Sequence, residues 1–291
     1  RRLNELVESY FEDYLRLNPV SATSIGDSRY DDLFEIAISP EGRARSEKLE
    51  RDYLARLRQL DAGRLQGQDM LTYRIFESAR EREIEGYRYP DHLIPLNQFY
   101  SVANTFAQLG SGNSIQPFKT VEDYDKFLKR LEGFVAWTDQ AIVNMREGME
   151  RGYTLPRVLA ERVLPQLAAH LVERPEDSVF WGPIRNLPEG FSAADRERLT
   201  AAYRAAIENK VVPTYRRLHD FMRDEYLPRT RTSVGLDALP DGEAWYAYRV
   251  RDMTTTALSP AEIHEIGLAE VARIRGEMKG VMERVGFKGD L

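Results

Sequence analysis

The sequence predicts an all-α fold, built as a multi-helix array of antiparallel helices with at most a minor hairpin. Apolar residues recur every three or four positions over long stretches, as they do on one face of an α-helix. Several of these stretches begin at a helix-capping pattern. No run of six or more residues alternates apolar and polar side chains, and only residues 87–94 suggest a short hairpin.

The first three helices are predicted from apolar periodicity and prolines. An apolar stripe over residues 3–17 predicts a helix that ends at Asn18-Pro19, because the residue before a proline disfavours the helical conformation. Ser39-Pro40 combines an N-cap residue with proline at the first helical position. The third helix is expected over residues 69–86.

Three later helices begin at capping signals. Thr120 with Asp123 and Ser192 with Asp195 each have the spacing of an N-cap residue and its N3 partner. The second of these helices contains Pro213, which predicts a kink or break. A further helix begins at Ser-Pro-Ala-Glu, residues 259–262, and should end at Gly286. Its apolar stripe consists of Ile263, Ile266, Val271, Ile274, Met278, Val281 and Val285.

Domain organisation is less sharply marked. Residues 174–190 contain three prolines and two glycines, which predicts a long loop. We expect residues 1–291 to form the N-terminal helical half of a larger protein, with sub-layers 1–173 and 191–291 joined by this loop. The helix ending at Gly286 and the following Phe-Lys-Gly-Asp-Leu suggest a chain cut within a loop.

Composition excludes several functional classes. The net charge is -6 and the basic clusters are short, which argues against a nucleic-acid partner. The absence of cysteine excludes disulfides, thiolate metal sites and a cysteine nucleophile. No apolar run reaches the roughly 20 residues of a transmembrane helix. The chain begins at Arg1 without Met, which leaves an upstream targeting segment open.

The segment from Ile94 to Phe118 contains no charged residue, although 30% of the whole chain is charged. Its amide side chains include Asn97 and Gln98, and two readings fit them. The segment can be a buried connection whose amides satisfy backbone groups. It can also be a cleft wall that recognises a peptide backbone, which makes Asn97 and Gln98 candidate substrate-binding residues.

The four histidines do not form a metal-binding pattern. A zinc peptidase helix needs two histidines four residues apart, with glutamate after the first. His264-Glu265 starts such a pattern, but Leu268 occupies the second ligand position. His92, His170 and His219 are scattered along the chain. We therefore expect structural roles for the histidines, with no catalytic residue and no metal ligand within residues 1–291.

A second candidate binding segment follows Trp245. Tyr246 and Tyr248 lie on a predicted helix, and Thr254, Thr255 and Thr256 disfavour its continuation. These residues can pack in the core and cap helix ends. Alternatively, tyrosine hydroxyls beside an extended segment can bind a peptide and stabilise an oxyanion.

Several of these segments resemble a known bacterial family. Residues 8–32, ESYFEDYLRLNPVSATSIGDSRYDD, resemble its opening, with a Leu-Asn-Pro turn followed by Gly-Asp-x-Arg-Tyr-Asp-Asp. LIPLNQFYSV, FKTVEDYDKFLKRLEGF and MREGMERGYTLPRVL resemble its middle, and residues 245–278 are the most similar block. On these motifs the chain resembles the N-terminal half of the bacterial domain-of-unknown-function 885 family.

The resemblance implies a helical, metallopeptidase-like hydrolase with a deep channel between two halves. The family's motif, roughly His-Glu-x-x-Pro-Gly-His-His, lies further towards the C-terminus and has no counterpart here. The resemblance thus implies no cofactor in this fragment, with zinc a candidate in the full-length protein. It implies a missing C-terminal half as partner, a peptide as substrate and a periplasmic or lipid-anchored location.

Three functional hypotheses follow. In the first, the chain is the non-catalytic part of the hydrolase, forms one wall of the substrate channel, is inactive alone and self-associates through an exposed apolar face. In the second, it is a stand-alone helical binding or scaffold domain. In the third, it is a metal-independent enzyme that uses a tyrosine or carboxylate.

Overall fold

The predicted all-α fold is confirmed for residues 2–290, the part of the chain that the computed structural model describes. The helices are α1 (Arg2–Leu17), α2 (Pro19–Ser24), α3 (Pro40–Leu57), α4 (Gly67–Gly86), α5 (Val102–Leu109), α6 (Val121–Arg151), α7 (Arg157–Ala168), α8 (Gly182–Arg185), α9 (Ala193–Ala206), α10 (Val212–Phe221), α11 (Gly242–Thr254) and α12 (Pro260–Val285). Two compact units contain them, Arg1–Val234 and Gly235–Leu291. No helix among the described residues is both long and apolar enough to cross a membrane.

The predicted helix starts are formed by the predicted caps. The side chains of Thr120 and Ser259 each accept a hydrogen bond from the N3 amide, and the N3 carboxylate accepts one in return. Ser39 and Ser192 also accept hydrogen bonds from the first turns of α3 and α9. α1 ends at Leu17, as the following Asn-Pro predicts.

The hairpin suggested for residues 87–94 is wrong, since the described residues contain no β-strand. Arg88 and Tyr89 instead donate backbone hydrogen bonds to Glu85 and Gly86, which extends the end of α4. A short 3₁₀ helix, Asp91–Leu93, follows. Leu93 is fully buried, so the chain turns into the core here.

Residues 174–190 are more ordered than a long loop. They contain the 3₁₀ turns Pro175–Asp177 and Val179–Trp181 and the short helix α8. Phe180, Trp181 and Ile184 are buried in the main hydrophobic core of the first unit. These apolar side chains fold the proline-rich segment onto the core.

That core is centred on α6. The ring of Phe106 on α5 stacks on the ring of Phe134 on α6, with centroids 4.2 Å apart and planes 4° from parallel. Phe127 and Tyr203 extend the aromatic contacts towards α9. A second, smaller cluster joins α1, α3 and α4 through apolar and aromatic side chains.

The smaller cluster encloses an ion pair. Glu50 on α3 is 6% exposed, and its carboxylate contacts Arg80 on α4 and accepts a hydrogen bond from the Tyr10 hydroxyl at 2.9 Å. The Arg80 guanidinium also lies 4.1 Å from the centre of the Tyr10 ring. The two buried charges are therefore paired with each other, and the guanidinium also faces an aromatic ring.

Pro213 does not break its helix. The backbone runs from α9 through a π-helical turn, Ile207–Val211, into α10, and a second π turn, Met222–Tyr226, follows α10. Each π turn ends two residues before a proline, Pro213 or Pro228. A proline ring collides with the carbonyl four residues earlier in an α-helix, and the wider π turn moves that carbonyl away.

Arg130 on α6 is the centre of a buried polar network. It is 0% exposed and donates hydrogen bonds to the Leu33 and Tyr30 carbonyls at 2.9 and 2.7 Å. It also donates to the Thr23 hydroxyl and to the Gln116 side-chain oxygen. Burial lowers the pKa of Arg130 to about 10, which leaves the guanidinium charged at neutral pH.

The negative charge of this network is Asp31. Its carboxylate is 1% exposed, lies 3.8 Å from the Arg130 guanidinium and accepts a 2.6 Å hydrogen bond from Thr23. Residues 23–33 are thereby fastened to the centre of α6. Removing one partner would leave the other charge buried without compensation.

We predict that Arg130→Met lowers the free energy of unfolding by about 3–5 kcal/mol, because it leaves Asp31 and several carbonyls unpaired. The matched control is Arg198→Met, which removes an exposed ion pair with Asp125 and should cost about 1 kcal/mol or less. Urea-induced unfolding followed by far-UV circular dichroism measures both. Equal losses in the two variants would contradict the assigned role of Arg130.

Candidate functional site

Asn97 organises a tight turn in the uncharged segment. Its side-chain oxygen accepts hydrogen bonds from the backbone amides of Phe99 and Tyr100, at 2.8 and 2.5 Å. Its side-chain nitrogen donates to the Tyr100 carbonyl at 3.1 Å. The Asn97 side chain thus satisfies backbone groups of its own turn.

A side chain of α7 forms a hydrogen bond with the backbone of Gln98. Its backbone carbonyl accepts a 2.9 Å hydrogen bond from Gln166, whose side-chain oxygen accepts one from Asn104 on α5. The Gln98 side-chain oxygen is shielded from solvent and accepts no hydrogen bond from any described residue. An amide chain therefore links the turn to two helices.

The turn displays two aromatic rings. Phe99 is 73% exposed and Tyr100 is 80% exposed, the highest values for aromatic residues in the described chain. The rings contact each other edge to face, with centroids 4.8 Å apart. Sequence reasoning selected the neighbouring amides and missed this pair, although the signal was an aromatic dipeptide within a segment that has no charge.

The second candidate group lies at the end of α11. Tyr248 is buried and Tyr246 is half exposed, so the two hydroxyls differ in access to solvent. Thr254 and Thr256 share a hydrogen bond between their hydroxyl oxygens at 3.0 Å. Thr255 has a φ of 54°, which is strained for a β-branched residue and ends the helix.

The seven predicted binding residues therefore fall into two local groups. Asn97 and Gln98 belong to the first unit, whereas Tyr246, Tyr248 and the three threonines belong to the second. Whether either group binds a substrate stays a prediction.

The histidines have separate environments. Burial against the rings of Phe180 and Tyr215 lowers the pKa of His170, and burial also lowers that of His92. His219 lies 3.1 Å from the Asp220 carboxylate, and His264 is exposed on α12. Residues 2–290 contain no group of three or more His, Cys, Asp or Glu side chains placed to hold a metal ion.

A groove of about 550 Å³ lies between α6 and the end of α10. Its sides carry two ion pairs that join the helices, Arg146 with Glu225 and Arg217 with Asp139. The Arg146 hydrogen bonds lower the pKa of Glu225. Glu225 and Asp139 are each paired with arginine, so these two ion pairs join the helices on either side of the groove.

Comparison with known proteins gives one family and one fold. A family model described as Bacterial protein of unknown function (DUF885) matches residues 19–291. The chain belongs to the DUF885 family. None of the curated proteins matches it.

A solved structure shares the fold of this DUF885 chain. It is the crystal structure of the putative lipoprotein from Colwellia psychrerythraea, which superposes with a TM-score of 0.84 at 18% sequence identity. The similarity covers 99% of the DUF885 chain and 52% of the Colwellia chain. The DUF885 chain thus spans about half the length of that structural relative.

We predict that Asn97→Ala accelerates cleavage by chymotrypsin after Phe99 and Tyr100 several-fold, because the turn loses three hydrogen bonds that hold it closed. Asn97→Asp is the matched control. It retains the oxygen that accepts from both amides and should be cleaved at nearly the native rate. Mass spectrometry of timed digests measures the rates, and identical rates in all three proteins would show that Asn97 does not hold the turn.

Proposed function

We propose that this chain is the non-catalytic N-terminal part of a metal-dependent, peptidase-like hydrolase. It forms part of the substrate channel and is inactive without a C-terminal half that packs against α12. The observation that carries this proposal is the apolar face of α12, which has no buried residue along its 26 positions.

The α12 face consists of the residues predicted as an apolar stripe. At 100° per residue they fall within about 140° around the helix, as the core-facing side of an amphipathic helix does. Ile266, Val271, Ile274, Met278 and Val281 are each 44–52% exposed. Burying one such side chain fully contributes about 1.5–3 kcal/mol, so a protein surface against this face would be strongly stabilised.

Charge on α12 favours a protein partner over a membrane surface. A helix that lies on anionic lipid has lysine and arginine on its polar side. α12 instead has five glutamates against four lysines and arginines. Arg273 forms ion pairs with Glu270 and Glu277, and by the same 100° spacing both glutamates fall within the arc of the apolar side chains. The charges within that arc are therefore already paired along the helix.

The C-terminal part of the same protein is the occupant we propose. The Colwellia relative has nearly twice the length that this chain covers, so the shared fold is followed or preceded there by a second large portion. The family resemblance supplies the order, with a histidine-rich motif towards the C-terminus. That motif would provide the metal ligands and general base, with zinc the candidate metal.

Export is part of the same proposal. The structural relative is named a putative lipoprotein, which supports a periplasmic or lipid-anchored location for the whole protein. A peptide is the proposed substrate class. Within this chain, the proposed substrate contacts are Asn97 and Gln98 in the first unit and, in the second unit, Tyr246 and Tyr248 on α11 with Thr254 to Thr256 at and after its end.

We predict that the full-length protein cleaves peptides in a chelator-sensitive way, whereas residues 1–291 alone do not. The assay is release of fluorescence from a mixed pool of quenched peptides, with metal content measured by atomic absorption. The full-length protein treated with chelator and reloaded with zinc is the control. Cleavage by residues 1–291 that survives chelator would favour a metal-independent enzyme, and an inactive, metal-free full-length protein would overturn the proposal.

We further predict that residues 1–291 associate through the α12 face when expressed alone. Ile274→Gln combined with Val281→Gln should shift the protein towards monomer. The two substitutions replace apolar side chains of the α12 face by polar ones and do not change the net charge. Glu265→Gln combined with Glu283→Gln, on the opposite side of α12, is the matched control. Sedimentation velocity over a range of concentrations measures the association. A wild-type chain that stays monomeric at all concentrations would contradict this use of α12.

A further inference from the structure

We infer that the Phe99–Tyr100 pair is a preformed contact for an uncharged, apolar side chain of a peptide. The choice of a peptide rests on the proposed function. The contact itself rests on exposure, rigidity and the absence of charged residues along the segment that forms the turn.

Exposure is the first argument. An aromatic side chain that remains in water does not gain the free energy of burying its large apolar surface. Phe99 and Tyr100 are adjacent in the chain and both remain largely exposed. Aromatic side chains at the surface supply much of the binding energy in protein recognition sites, because they are large and have few rotatable bonds. The pair therefore has the composition of a contact site.

Rigidity is the second argument. The Asn97 side chain closes the turn through three hydrogen bonds, and Gln166 holds the Gln98 carbonyl. On either side the chain enters the core, at Leu96 (0% exposed) and at Ser101 (3% exposed). The backbone that carries both rings is thus fixed before any ligand arrives, which lowers the entropic cost of binding.

The charge and shape of the turn indicate the ligand. No residue from Ile94 to Phe118 is charged, so the segment offers no counter-ion to a charged side chain. The two ring planes meet at 73°, so the rings do not form one continuous flat platform. An aliphatic or aromatic side chain can pack against both rings at once.

Saturation-transfer NMR on residues 1–291 tests the contact without turnover. The probe is the capped peptide Ac-Ala-Phe-Leu-Ala-NH2, with Ac-Ala-Glu-Lys-Ala-NH2 and maltotriose as comparison ligands. We expect transfer to the Phe and Leu protons of the first peptide and several-fold less transfer in Phe99→Ser combined with Tyr100→Ser. Ile75→Ser, which changes another exposed apolar residue of the first unit, is the control and should keep the native signal.

Three results would overturn the inference. These are no transfer from the wild-type chain to the apolar peptide, equal transfer from the Phe99 and Tyr100 variant, or transfer to maltotriose in preference to both peptides. If the peptide bound to the α12 face instead, the signal would persist in the Phe99 and Tyr100 variant. Loss of the signal in this variant therefore distinguishes the two binding sites. The proposed function can fail separately, since a full-length protein without peptidase activity would leave this binding measurement unchanged.

Discussion

The buried contact of Arg130 with Asp31 and the segment around it is the interaction on which the first unit depends. A guanidinium without solvent needs hydrogen-bond acceptors in several directions, and the chain supplies them from residues 23–33 and from Gln116. This requirement fixes the path of the connection between α2 and α3 against α6. Since α6 also carries the aromatic core, one charged side chain links the polar and apolar parts of the packing.

The same contact gives a physical reading of the family's opening motif. Within Gly-Asp-Ser-Arg-Tyr-Asp-Asp, Gly26 has a φ of 84° and Asp27 caps the next turn through the Arg29 amide. Asp31 is the buried partner of Arg130. Gly26, Asp27 and Asp31 of the motif therefore shape and fasten the connection between α2 and α3.

Sequence alone predicted the parts of the fold that local chemistry determines. Helix starts at Thr120, Ser192 and Ser259 follow from side chains that satisfy amides within three residues, so no tertiary information is needed. The burial of Arg130 was not predicted, because arginine is rarely buried fully, although its spacing of three and four residues from Phe127 and Phe134 places it on the apolar face of α6. The exposure of Phe99 and Tyr100 was missed for the reverse reason. Aromatic residues are more often buried in the core, so their residue type does not indicate that these two lie in solvent.

The paired π turns before Pro213 and Pro228 have a consequence for how related chains should be compared. A π turn holds one more residue than the α-helical turn it replaces, so it behaves as a one-residue insertion that leaves the helix continuous on both sides. A relative that lacks the proline can also lack the extra residue and still present the same side chains to α6. A one-residue deletion at residues 207–211 or 222–226 would therefore convert the π turn to an α-helical turn and leave the helix continuous.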